Sequence, residues 1–183
     1  MVFTACIVCS VHGDNQPLLV CTRFLGVLLC WGVVLYARRM KVIIHCSASN
    51  FGNAALIDSW HRQKGFSRVG YHFVILNGMI GHKKYHDYFD GAIETGRPLD
   101  DDSDMEPDEV GAHTLGHNKS VGICLIGESA MFTPKQMKSL NILLSILKSQ
   151  FGSIEVFQHS DFEPKKPFCA GISKPTMKLL NEI

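Results

Sequence analysis

A chain of 183 residues, 46% of them hydrophobic, is long enough for one domain with a real core and too apolar to be a disordered polypeptide. The net charge is +1 with His neutral, and no face-sized block of Lys and Arg appears, so nothing points to nucleic acid. Seven cysteines at irregular spacing are not the pattern of a disulfide framework.

Residues 1–39 differ in character from the rest. Cys6-Ile7-Val8-Cys9 has no second CxxC and no βαβ context, and it reads as chance. Leu18 to Ala37 is nearly all apolar, broken by Arg23 and followed by Arg38 and Arg39. Its unbroken part is short for a bilayer span. It lacks a positive n-region and a small-x-small cleavage site. The expectation is a segment outside the functional domain, which then runs over residues 40–183. A membrane anchor within residues 18–37 is the runner-up.

From Met40 the pattern becomes globular. Lys41–Cys46 is an apolar run that reads as a buried strand, and Ser47-Ala48-Ser49-Asn50-Phe51-Gly52-Asn53 is a polar turn that can cap a helix beginning at Ala54. That helix ends at Gly65. Val69–Leu76 is rich in β-formers, and Asn77-Gly78 signals a hairpin into Met79-Ile80. Residues 82–112 are polar and acidic without apolar periodicity, which predicts a long loop region with at most one short helix. Ser120–Ile126 reads as a core strand. Thr133-Pro134-Lys135-Gln136 is a capping box with Pro at the first helical position, and Leu140, Leu143, Leu144 and Leu147 continue it at helical spacing. Glu155–Phe157 is a short strand, and Ser173-Lys174-Pro175 opens a final helix. Strands alternating with helices predict an α/β fold with a mixed central β-sheet flanked by helices.

The chemistry gathers on His159-Ser160-Asp161-Phe162-Glu163-Pro164-Lys165-Lys166-Pro167-Phe168-Cys169. Two prolines keep this loop from being helical throughout, so it can bring its ends to a common point. His and Cys are good zinc ligands, and a third can come from His45, at the tip of the first core strand. Three protein ligands with a fourth position for water describe a catalytic zinc. On spacing alone, a structural His at a strand end and a buried apolar Cys are equally good readings.

Several pieces then line up in chain order. They are Ile43-Ile44-His45-Cys46-Ser47-Ala48, Gly70-Tyr71-His72-Phe73, Gly96-Arg97-Pro98 and Gly111-Ala112-His113-Thr114. Ser120-Val121-Gly122-Ile123-Cys124-Leu125, Phe132-Thr133-Pro134-x-Gln136, and His159-Ser160-Asp161 with Cys169 follow. Across residues 41–182 the chain resembles the zinc-dependent N-acetylmuramoyl-L-alanine amidases of the T7 phage lysozyme type, whose fold is shared with peptidoglycan recognition proteins. The resemblance implies that His45, His159 and Cys169 hold Zn2+, that Tyr71 is catalytic, and that His113 lines the substrate cleft. Tyr71 and His72 alternate along one strand, so His72 is expected to pack or support rather than face the metal. The family's lysine two residues before the cysteine is replaced here by Pro167, and Lys165 or Lys166 is expected to take its role. The loop Gly116–Ser120 looks about one residue short of the family's commoner form.

The resemblance therefore implies hydrolysis of the amide between N-acetylmuramic acid and L-alanine, with peptidoglycan as partner; the charge gives no reason to add nucleic acid, and a monomeric chain is expected. Two other readings compete. One is a non-catalytic peptidoglycan-binding module of the same fold, which would be expected to have lost a ligand. The other is a cysteine amidase using Cys46 or Cys169, which would survive chelation.

Overall fold

The computed structural model describes residues 39–183 except 83 and 103, together with the backbone of three short strands nearer the amino terminus. The chain divides into two compact units, Met1–Arg38 and Arg39–Ile183. In the first, β1 (Ile7–Val8), β2 (Val20–Phe24) and β3 (Val27–Trp31) pair antiparallel in that order. The CxxC reading and the anchor reading of residues 18–37 concern side chains outside the described residues. Among the described residues, no helix is long and apolar enough to cross a membrane.

The second unit is an α/β layer structure. Its elements are β4 (Met40–Cys46), α1 (Ala54–Gln63), β5 (Phe73–Gly81), β6 (Lys84–Thr95), β7 (Val121–Leu125), α2 (Pro134–Phe151), β8 (Ile154–Gln158) and α3 (Lys174–Asn181). They make a mixed five-stranded sheet in the order β6-β5-β7-β4-β8. β4 runs parallel to both β7 and β8, and β5 runs parallel to β7, while β6 is antiparallel to β5. The central strands are therefore buried on both faces and read as unbroken apolar runs.

Alternate residues of these strands feed opposite faces. Ile44, Ile75, Ile123 and Leu125 pack with Leu140, Leu144 and Leu147 of α2 and with Met177 and Leu180 of α3. Val74, Leu76 and Cys124 pack on the other side with Ile57 of α1. Burying each such Leu or Ile stabilises the fold by roughly 1.5–3 kcal/mol. The capping box of α2 forms as its residues predict, and the Gln136 amide, fully buried, also donates to the carbonyls of Ile75 and Ile126 at 2.9 and 2.8 Å. That one side chain ties the start of α2 to β5 and to the end of β7.

Two expectations are corrected. The hairpin does not turn at Asn77-Gly78: β5 continues to Gly81, with register shifts along Asn77–Gly81, and the chain reverses between Gly81 and Lys84. Gly78 sits at φ +81, and a Cβ there would meet the Tyr85 ring at 2.5 Å, so the glycine marks an irregularity inside the strand. Likewise, residues 84–95 are not loop but the twelve-residue strand β6. It is an edge strand exposed along most of its length, so it carries no apolar alternation for a sequence reading to find.

Candidate metal centre and cavity

β4 delivers His45 to the carboxyl end of the sheet's interior, where it is 1% exposed. β8, parallel to β4, ends at Gln158, and His159 opens the short 3-10 turn His159–Asp161 directly after it. The loop folds back so that Ser160 N donates to the Cys169 carbonyl at 2.6 Å, which closes its two ends on each other. One potential ligand atom from each of His45, His159 and Cys169 lies within 4.8 Å of the others. The rings of His45 and His159 are 4.5 Å apart, and His45 Nδ1 is 3.9 Å from Cys169 Sγ.

These residues can hold a metal ion. Tetrahedral bonds of 2.0–2.3 Å space nitrogen and sulfur ligands roughly 3.3–3.8 Å apart, so the cluster needs only small movements to close on an ion. Two imidazoles and a thiol are a donor set suited to zinc. His45 is kept neutral, as ligation requires, because burial pushes it well below the usual His value, helped by neighbouring His113 and His159. Of the two neighbouring thiols, Cys46 is pulled down to about 6 by its hydrogen bond with Cys169. Cys169 is pushed up by that same bond and by burial. A cation on Cys169 would displace that proton, because metal and proton compete for the sulfur. The Cys46 amide also donates to Cys169 Sγ at 3.4 Å, a contact that favours the thiolate.

Tyr71 is not inside a strand. It lies two residues before β5, where its carbonyl accepts from Arg97 N at 2.9 Å. Gly96 makes that approach feasible, since a Cβ there would lie 2.4 Å from the Tyr71 oxygen. The buried Arg97 guanidinium clamps the same segment through the carbonyls of Val69 and Val110, at 2.9 and 2.7 Å. The Tyr71 ring stands 5.0 Å from His45, and burial above all pushes its hydroxyl well above the ordinary tyrosine value of 10. His72 turns away into the core, as expected. It is fully buried, with Nε2 donating to the Glu109 carbonyl at 2.7 Å and Nδ1 accepting from Gly122 N at 2.9 Å.

His113 approaches from the other side. Its Nδ1 lies 3.0 Å from His45 Nε2, and burial pushes it down to about 4. Thr114, beside it, was not singled out by sequence reading, although its hydroxyl is 3.4 Å from His45 Nε2. A cavity of about 640 Å³ opens over the cluster, with Tyr71, His113, His159 and Cys169 in its wall and Lys165 and Lys166 at exposed positions of its lining. Lys166 is the lysine whose charge acts on both His45 and His159. Trp60, His61 and Phe66 add an aromatic side that sequence reading also missed. Trp60 and His61 sit in the predicted α1, but nothing in their spacing showed that they face the same space as Cys169.

Fold and site together define an α/β sheet protein with a metal-competent His/His/Cys group at the carboxyl ends of parallel strands. No family model matches the chain. The endolysin of Klebsiella phage KP32 is 35% identical over 136 residues, covering 68% of this chain and 77% of that protein. The endolysin of Escherichia phage T7 is 33% identical over 136 residues, covering 68% and 76% respectively. Of solved structures, the N-acetylmuramoyl-L-alanine amidase LysC from Clostridium intestinale URNW superimposes with a TM-score of 0.59 at 27% identity, covering 77% of this chain and 82% of that one. The Ph2119 endolysin of a Thermus scotoductus bacteriophage, at 14% identity and a TM-score of 0.52, shares the fold. The chain belongs to the phage endolysin family.

Proposed function

We propose that this endolysin is an N-acetylmuramoyl-L-alanine amidase that uses zinc held by His45, His159 and Cys169 to cleave peptidoglycan between N-acetylmuramic acid and L-alanine. The observation that carries the reading is the convergence of those three side chains within 4.8 Å beneath an open cavity. The amidase LysC, similar in fold and 27% identical, supports the reaction class.

Zinc bound there would supply a Lewis acid and bring the pKa of its water toward roughly 7. The remaining roles fall to the chain. Tyr71, anchored through Arg97, offers a neutral phenol beside the metal position, where it can donate to the oxygen on which negative charge develops. Lys166 adds positive charge at the rim, close enough to be felt at His45 and His159, and is the better candidate of the two lysines. Lys165 directs its backbone N–H to Glu163 at 3.2 Å. The aromatic side formed by Trp60, His61 and Phe66 suits contact with a sugar or a lactyl-peptide stem, and His113 contributes to the same wall.

A binding module that had lost catalysis would be expected to lack a ligand, and all three are present. A cysteine mechanism through Cys46 is disfavoured because its thiol is engaged with Cys169 and the Phe168 carbonyl rather than with a histidine base. Digestion of purified peptidoglycan followed by mass spectrometry of the fragments tests the reading. Free stem peptides with an L-alanine amino terminus are expected. New reducing sugar ends or cleavage within the stem would reject it.

A further inference from the structure

We infer that His113 is a positioning residue that fixes the tautomer of His45 and so presents the bare His45 Nδ1 to the metal position. This deepens the metal-centre reading above and rests on it. The chain of hydrogen bonds starts at a carbonyl. Ser120 O can only accept, and His113 Nε2 lies 3.1 Å from it, so the hydrogen of a neutral His113 sits on Nε2. Its Nδ1 then carries a lone pair, 3.0 Å from His45 Nε2. Two facing lone pairs at that distance repel, so His45 Nε2 carries the hydrogen and donates it.

Thr114 does not change the outcome. Its hydroxyl is 3.0 Å from His113 Nδ1 and 3.4 Å from His45 Nε2. Where the hydroxyl donates to His113, its oxygen is free to accept from His45, and the His45 hydrogen stays on Nε2. Either way His45 Nδ1 is left without a hydrogen, and that is the nitrogen 3.9 Å from Cys169 Sγ. Ligating imidazoles commonly have their second nitrogen held in this way, and loss of the holding group typically weakens metal binding about 10–100-fold.

The backbone is built around the His113 ring. A Cβ on Gly122 would come within 2.6 Å of it, and one on Gly111 within 2.4 Å. The amides of His113 and Thr114 both donate to Asn118 Oδ1 at 3.0 Å, which fixes the turn that carries them. His113 therefore reaches His45 across 68 residues of sequence from a fixed seat.

Two measurements test this. In the wild-type protein treated with a chelator, nitrogen-15 spectra of the histidine side chains are expected to show His45 and His113 both as Nε2–H tautomers. Zinc addition should then perturb Nδ1 of His45. Zinc affinity, read by competition with a chromophoric chelator, is compared for His113→Leu and His113→Asn. Leucine fills the space without an acceptor, whereas asparagine places a carboxamide oxygen near the Nδ1 position. The leucine variant is expected to bind zinc roughly 10–100-fold more weakly, and the asparagine variant to recover most of that loss. A wild-type His45 carrying its hydrogen on Nδ1, or a leucine variant with wild-type zinc affinity, overturns the inference. Should neither variant fold, the wild-type spectrum decides alone. A wild-type protein that binds no zinc overturns the metal reading instead, and the tautomers seen in the same spectrum still decide this one.

Discussion

The Tyr71 ring lies 5.0 Å from the His45 ring, tilted by 51°, so a side chain of the cavity wall packs directly beside a proposed ligand. Tyr71→Phe keeps the ring and removes the hydroxyl. Losing a donor to a developing oxyanion costs roughly 10²–10³ in kcat, or about 3–4 kcal/mol. Zinc content should be unchanged and the thermal midpoint nearly so. Turnover, zinc and midpoint measured together on this variant check the role, and near wild-type turnover with zinc intact would remove Tyr71 from the mechanism.

The two lysines at the rim separate by their reach. Because Lys166 acts on both histidines of the cluster, Lys166→Ala is expected to lower turnover roughly 10–100-fold with zinc retained. Lys165→Ala should stay within about twofold. Equal effects from the two substitutions would show that the rim contributes only general positive charge.

Much of the fold is legible in the sequence. The central strands announce themselves because both faces are buried, and α2 does so through its capping box and leucine spacing. His45, His159 and Cys169 are legible as a candidate cluster because metal-ligating residue types are few and two of them end one proline-stiffened loop. β6 was missed because an exposed edge strand has no buried face to impose alternation. Asn77-Gly78 misled because a glycine with positive φ serves a strand irregularity as well as a hairpin. The His45–His113 bond joins side chains 68 residues apart, and no local pattern encodes such a meeting.

Acid should weaken the fold through His72. Burial pushes its pKa down to about 4, against a usual value of 6.5. The unfolded chain therefore binds a proton below about 6.5 that the folded chain refuses until about 4, and stability present above 6.5 is lost as pH falls through that window. By pH 4.5 the loss attributable to His72 is about 2–3 kcal/mol. Denaturant unfolding with chelator present, at pH 7.5 and at pH 4.5, measures it against His72→Gln. The variant should be less stable at neutral pH and show a shallower pH dependence, and an equal slope in both proteins would reject the assignment.

We propose that the segment before Met40 is not needed for the catalytic fold, since Arg39–Ile183 forms a compact unit of its own. A protein beginning at Met40 is expected to fold and to cleave peptidoglycan at a rate within about twofold of the full chain. If the shortened protein is insoluble or inactive while the full chain works, residues 1–39 belong to the working domain.

The cluster of His45, His159 and Cys169 is proposed to hold the zinc on which amide cleavage by this chain depends. The direct measurement is titration of zinc into chelator-stripped protein while release of L-alanine-terminated peptides from peptidoglycan is followed. Activity is expected to be absent at the start, to rise linearly, and to saturate at about one zinc per chain. Cys169→Ala should neither retain zinc nor regain activity. Full amide cleavage by the stripped protein, or by Cys169→Ala without bound metal, would contradict the account.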